Sequence, residues 1–202
     1  MPSRKATARK SNRSASRKAK TVKAPLEVLS SKVVFRGRVF EVTRDRVREP
    51  NGVTATREVI RHSGSVVILA VDETGGEPCV LLERQYRYAA QDYMLELPAG
   101  RIDPGESALA AAKRELLEET GYTARRWKKV LFFYPSPGFL EETMTVFLAS
   151  GLRSGKAQPE ADEKIEHDLM PLSTISNWIR SSRIKDGKTI ASVLWLYSSR
   201  MR

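Results

Sequence analysis

Between Gly100 and Tyr122 the chain reads GRIDPGESALAAAKRELLEETGY, and this segment restricts the possible folds more than any other. Asp103-Pro104-Gly105 opens a helix expected from Ser107 to Thr120, and Gly121 closes it, being suited to the left-handed backbone just beyond a helix end. At about 100° per residue, Glu115, Glu118 and Glu119 share an arc of about 100° on one helix face. Earlier turns on that arc offer only Ala108, Ala111 and Ala112, while Leu109 and Leu116 form an adjoining apolar stripe for a sheet. Two carboxylates about 5 Å apart repel by roughly 3 kcal/mol at an effective dielectric of about 20. On an ordinary acidic surface, solvent, Lys113 and Arg114 relieve that repulsion. A cluster of hard oxygen donors is also what Mg²⁺ or Mn²⁺ requires, and a bound cation would turn repulsion into attraction. The helix alone leaves both readings open.

A chain of 202 residues with 41% hydrophobic content can bury a substantial core. Its formal charge of +11 is concentrated at one end: residues 1–24 carry nine basic side chains and no acidic one, which leaves about +2 for the rest. Beyond Met1 that tail has no large apolar residue except Val22 and is expected to be disordered when alone. Three readings of it stand side by side: a solvated tail, an arm touching nucleic acid or another polyanion, and a mitochondrial targeting segment. No run approaches the ~18 apolar residues of a membrane span, and no signal-peptide core is present. The expectation is a soluble, cytoplasmic protein without a membrane partner. Cys79 is the only cysteine, which excludes an internal disulfide and a cysteine-based zinc cluster. Its context PCVLL marks a strand residue.

From Leu26 the pattern becomes short β-rich segments, LEVLSSKVVFR, RVFEVTRDRVR and TATREVIRH. They predict an antiparallel meander over residues 25–62, with Asn51-Gly52 supplying the positive φ angles of a tight hairpin. So few residues cannot bury a core, so the meander is expected to pack on the main domain, residues 63–202, or on a second chain. Further strands are expected at Ser65 to Val71, Cys79 to Tyr86, Tyr93 to Leu97, Lys129 to Tyr134 and Thr143 to Ala149. An acidic loop covers Gln158 to Glu163, and two helices end the chain, Ser173 to Ser181 and Thr189 to Met201. The class is α/β, a mixed sheet with helices on its faces.

The helix and its approach resemble the Nudix box, G-x5-E-x7-R-E-U-x-E-E-x-G-U with U a bulky apolar residue. Gly100, Glu106, Arg114, Glu115, Leu116, Glu118, Glu119, Gly121 and Tyr122 fill its fixed positions. Tyr122 is aromatic where an aliphatic is commoner. A P-loop reading of Gly100 to Gly105 fails, because Glu106 stands where the phosphate-binding lysine belongs. The resemblance implies an α/β/α sandwich in which Glu115, Glu118 and Glu119 ligate divalent metal, Mg²⁺ or else Mn²⁺. In the family Glu106 and Arg114 support the geometry, as do Gly100 and Gly121. Such metals would neutralise a diphosphate and polarise a water for attack on phosphorus. His62 and His167 lie in no nucleophile motif and read as structural.

Beyond the box the chain resembles the ADP-ribose pyrophosphatase branch of that family, through Arg84-Gln85-Tyr86-Arg87, Glu96-Leu97-Pro98-Ala99-Gly100 and Ser136-Pro137-Gly138-Phe139. Pro137, fifteen residues after the box, is the branch's usual marker. The likeness implies that the Ala99 carbonyl joins the metal ligands, that Arg87 and Glu96 line the substrate cleft, and that Glu142 accepts from ribose hydroxyls. Arg61 is a second candidate for phosphate contact; for Arg61 and Glu142 a plain surface ion pair is an equal alternative. The catalytic base of this branch sits on a late loop, which points to Glu163. The likeness also implies a homodimer whose meander is exchanged between subunits, with Phe35 and Phe40 either stacking on adenine or packing in a core. Rival readings are the same chemistry on another nucleotide sugar or dinucleotide, and a silent nucleotide sensor with a nucleic-acid-binding tail.

Overall fold

A computed structural model of the chain describes residues 26–157 and 165–200. The basic tail of residues 1–24 and the acidic loop with Glu163 lie outside the described residues. Three strands, β1 (Glu27–Arg36), β2 (Glu41–Arg48) and β3 (Thr54–Arg61), form a separate antiparallel sheet in that order. In β2 the alternation has a clear result: Thr43, Asp45 and Val47 are buried while Arg44, Arg46 and Arg48 face out. The β2–β3 connection differs from the expected tight hairpin. Arg48 pairs with Thr54, so residues 49–53 form the loop, and only Gly52 has positive φ, at 84°. Pro50 follows Glu49 in a turn closed by the Gly52 N–H to the Glu49 carbonyl (2.8 Å), and proline favours negative φ at that corner. Asn51 instead accepts the Val53 N–H with its side chain at 3.1 Å.

The main sheet has seven strands: β4 (Ser65–Asp72), β5 (Cys79–Arg87), β6 (Asp92–Glu96), β7 (Ala99–Arg101), β8 (Thr123–Phe133), β9 (Met144–Arg153) and β10 (Glu166–Pro171). Its order is β10-β5-β4-β9-β8, with β6 paired to β5 and β7 to β4; the β4–β9 pair is parallel and the others antiparallel, so the sheet is mixed. The central strand β4 is buried on both faces, which is why its sequence SVVILAVD shows an unbroken apolar run. Val66, Ile68 and Ala70 pack toward α1 (Ala108–Thr120) with Leu81 and Phe147. Val67, Leu69 and Val71 pack with Leu97, Ile175, Val193 and Leu196, under α2 (Leu172–Arg180) and α3 (Gly187–Arg200). The result is the α/β/α sandwich that the resemblance implies.

Two expectations about α1 need correction. Leu109 does not join the sheet-facing stripe; it is 37% exposed. Ala111 and Ala112, assigned to the arc of the glutamates, are fully buried beside Leu116. Their small side chains let the helix axis come close to the sheet, and that close approach turns the 112, 116 and 119 row inward. β8 and β9 are longer than the apolar runs alone indicate, because Thr123 already pairs with Arg153. The sequence pattern gives no sign of β7 or β10. Neither alternates, and each exists through pairing with a strand distant in sequence. Among the described residues no helix is long and apolar enough to cross a membrane.

Candidate active site

Local chemistry fixes the ends of α1 before any site exists. Ser107 accepts the Ala110 N–H with its hydroxyl at 3.2 Å, and Gly121 adopts φ 72° with its N–H on the Leu117 carbonyl at 2.9 Å. A side chain at Gly121 would also strike the backbone of residues 155–157. The buried alanines then bring the last two turns of α1 against β7. Gly100 sits so close to Glu115 that a single added methyl group would collide with its carboxylate. The Ala99 N–H donates to Glu119 Oε2 at 3.2 Å, and Glu119 is only 5% exposed. β7 therefore both makes room for one glutamate and holds another.

Arg114 joins the acidic groups. Its Nε and Nη2 donate to Glu106 at 3.2 and 3.0 Å, its Nη1 to Glu115 and Glu118 at 2.8 and 3.0 Å, and its Nη2 also to the Arg101 carbonyl at 3.1 Å. The hydrogen bond with Glu106, aided by the charge of Glu115 and the hydrogen bonds to Glu118 and Glu115, raises the guanidinium above its already high ordinary pKa. In return Arg114 holds the Glu106 carboxyl below the usual range. Glu106 in turn accepts the Asp103 N–H and so ties down the loop before the helix.

Around these groups lies a cleft of about 570 Å³, lined by Arg38, Arg87, Ala99, Asp103 and the three helix glutamates among others. Among the described residues no three carboxylate, imidazole or thiolate groups converge on one point, since Glu115 and Glu118 turn to Arg114 and Glu119 turns to the Ala99 N–H. The donor set still fits a hard divalent cation, being entirely oxygen and partly buried. The hollow over Gly100 that admits the Glu115 carboxylate is a second reason, because that carboxylate is seated in the cleft wall and not in bulk solvent.

A second group of charges stands beside the first. Arg87 grips Glu96 through two parallel hydrogen bonds of 2.8 Å, and Lys188, from α3, reaches the same carboxylate. Burial pushes the Glu96 carboxyl up, yet the hydrogen bond from Arg87 and the charge of Lys188 outweigh it and keep the group below its ordinary value. Glu96 is only 2% exposed, so it aims Arg87 and does not itself face the cleft. Glu142 accepts from the Ser65 hydroxyl at 2.6 Å and lines an adjoining recess with Arg87, Gly100 and Lys188.

Arg61 takes a different place. It donates to Asp45 at 2.5 Å, to Thr43 at 3.1 Å and to Glu141 at 3.2 Å, and it lines a neighbouring recess with Tyr134, Pro137 and Phe139. His62 accepts the Gly64 N–H at 3.1 Å, while His167 packs edge-on against Tyr122. Two residues, one in the cleft and one in the adjoining recess, are not evident from sequence pattern. Arg38, at the β1–β2 turn, carries a hint in its basic neighbour Arg36; Lys188 has no local signal, because its partner Glu96 is 92 residues away.

The chain resembles known proteins over most of its length. Residues 61–191 match the family described as NUDIX domain, and residues 27–60 match the one described as nucleoside diphosphate sugar hydrolase N-terminal domain. An ADP-ribose pyrophosphatase of Bacillus subtilis (strain 168) is 34% identical over 172 residues, spanning 84% of this chain and 91% of the relative. One from Mycobacterium tuberculosis (strain ATCC 25618 / H37Rv) is 37% identical over 177 residues, spanning 85% and 83%. A solved structure described as an ADP compounds hydrolase superposes with a TM-score of 0.75 at 23% identity, over 86% of this chain and 92% of that one, and so shares the fold.

Two substitutions probe the geometry. Gly100→Ala should displace the Glu115 carboxylate and weaken Mn²⁺ binding about 10- to 100-fold, as loss of a supporting contact does at metal sites. Wild-type affinity by titration calorimetry would show that the close approach is not needed. For Glu96, the depressed carboxyl means that its stabilisation is complete above the unfolded value of about 4.3 and is lost as pH falls through the folded one. Glu96→Gln should accordingly be less stable than wild type at pH 7, with the gap closing on acidification below about pH 4.3. Denaturation midpoints across that range test this, and a gap independent of pH would count against it.

Proposed function

The chain belongs to the NUDIX domain family, as a hydrolase, and from that premise we propose that it splits the pyrophosphate bond of ADP-ribose into AMP and ribose 5-phosphate by attack of water on phosphorus. The observation that carries the reading is the single cleft whose wall holds Glu115, Glu118, Glu119 and Ala99 beside the guanidinium of Arg87. Divalent cations, Mg²⁺ by preference or Mn²⁺, would when bound neutralise the diphosphate oxygens and polarise the water. Glu115, Glu118, Glu119 and the Ala99 carbonyl would hold them.

Each remaining residue acts on substrate or on its neighbours. Arg87, held in direction by Glu96, donates charge-assisted hydrogen bonds to phosphate oxygens. Glu142 accepts from ribose hydroxyls, and Arg61 contacts substrate from the recess beside Pro137. Glu163 takes the proton of the attacking water, a role that rests on the family likeness. Arg114 and Glu106 keep Glu115 and Glu118 in place.

A wider reading, hydrolysis of another nucleotide sugar or dinucleotide, draws on the N-terminal match, whose description names nucleoside diphosphate sugars in general. Glu119→Gln should lower turnover at least about a hundredfold with little change in melting temperature. Near-normal turnover at saturating metal would remove the assignment. In a panel of diphosphates compared by kcat/KM, ADP-ribose should rank first; a preference for a compound without adenine would move the reading to the wider one.

The meander, residues 25–62, is proposed as the dimerisation element of a homodimer. It leaves Val28, Val33, Phe35 and Phe40 between 40% and 59% exposed, more apolar surface than a small sheet ordinarily leaves to water. Phe35 and Phe40 pair with each other at 5.8 Å, available to a partner or to adenine. Light scattering should give twice the chain mass, and Val33→Glu with Phe35→Glu should halve it; a monomeric wild type would dismiss the dimer.

A further inference from the structure

The start of α3 grips a segment on which the cleft depends. The Leu97 N–H donates to Thr189 Oγ1 at 2.8 Å, although the two residues are 92 apart in sequence and both are 0% exposed. The same hydroxyl donates to Asp186 Oδ2 at 2.6 Å, and that oxygen also accepts the Thr189 N–H at 2.9 Å. The other Asp186 oxygen lies 3.2 Å from Lys188 Nζ, and Lys188 reaches Glu96, the residue just before Leu97. Asp186, Lys188 and Thr189 thus hold Glu96, the last residue of β6, and Leu97, the residue after it.

The contacts of Pro98 and Ala99 make the grip more than a staple for a terminal helix. The Pro98 carbonyl accepts the Ile68 N–H at 2.8 Å, and the Ala99 N–H donates to Glu119 at 3.2 Å. Residues 96 to 99 are therefore tied at every step, to α3, to β4 and to α1 in turn. The threonine hydroxyl both accepts from Leu97 and donates to Asp186, so an isosteric valine would leave a buried N–H and a carboxylate oxygen without that partner. Lys188 adds a second cation to a carboxylate already paired with Arg87, and is itself only 10% exposed where it borders the recess holding Glu142.

We propose that the first turn of α3 is a positioning element for the cleft: Thr189 fixes the Leu97 to Ala99 segment against Glu119, and Lys188, through Glu96, fixes the direction of Arg87. The proposal rests on the hydrolase reading above, and its test separates the two. Mn²⁺ binding without substrate, followed by the paramagnetic resonance of free Mn²⁺, reads the segment independently of turnover. Thr189→Val should weaken binding about 10-fold, the low end for loss of a supporting group, whereas Thr189→Ser keeps the hydroxyl and stays within about twofold of wild type. Val193→Ala, a cavity in the same helix that lowers the melting temperature, should leave Mn²⁺ affinity unchanged. Lys188→Met should raise KM about 10-fold with kcat nearly intact, the mark of lost uniform binding. Should Thr189→Val not fold, Asp186→Asn removes the charged acceptor of the same hydroxyl and is expected to give the same loss. Wild-type Mn²⁺ affinity in Thr189→Val, or in Asp186→Asn where the valine variant does not fold, or an equal loss in Val193→Ala, overturns the positioning role while leaving the hydrolase reading intact. A wild type that neither binds Mn²⁺ nor hydrolyses diphosphates would instead overturn the hydrolase reading on which the proposal rests.

Discussion

The close approach of α1 to β7 is the constraint on which the rest of the site depends. Ala111 and Ala112 are small enough for the helix to sink onto the sheet, and Gly100 is small enough for the Glu115 carboxylate to lie against its backbone. At interior packing density the fully buried Ala111 and Ala112 leave no room for larger side chains. A bulkier residue at Ala111 or Ala112 would lift the helix, and Glu119 would lose the Ala99 N–H; a side chain at Gly100 would instead push the Glu115 carboxylate out of its place.

Once the helix is seated, its charges need partners, and the structure provides them in two linked sets. Arg114 takes up Glu106, Glu115 and Glu118; Arg87 and Lys188 take up Glu96. A carboxylate as buried as Glu96 persists in its charged form only because two cations face it. The second set is joined to α1 along Glu96 to Ala99, a stretch that carries a paired carboxylate, a buried N–H bonded to Thr189 and the N–H that holds Glu119. Rigidity in that short stretch links the α1 layer of the sandwich to the layer formed by α3.

Much of this was legible along the chain. The spacing of Gly100, Glu106, Arg114, Glu115, Glu118 and Glu119 is a local pattern, and helical geometry converts local spacing into a shared face with no help from the rest of the fold. The same holds for the cap at Ser107, the stop at Gly121 and the apolar run of β4. Less was legible where pairing decides structure. β7 and β10 carry no periodicity of their own, and Leu109 is as apolar as Leu116 yet faces outward. That Arg61 is held by Asp45, Thr43 and Glu141 in the recess beside Pro137 could not be read along the chain either.

By itself, then, the sequence determined the acidic helix, its caps, the class of the fold and the family, because each depends on residues a few positions apart or on one buried strand. Only the tertiary structure decided how the glutamates are held and which cations join them. Arg38 comes from a distant turn, and Lys188 and Thr189 reach Glu96 and Leu97 from 92 residues away. Contacts across such separations arise when a sheet and its helices close on one core, and no local spacing in the chain encodes them.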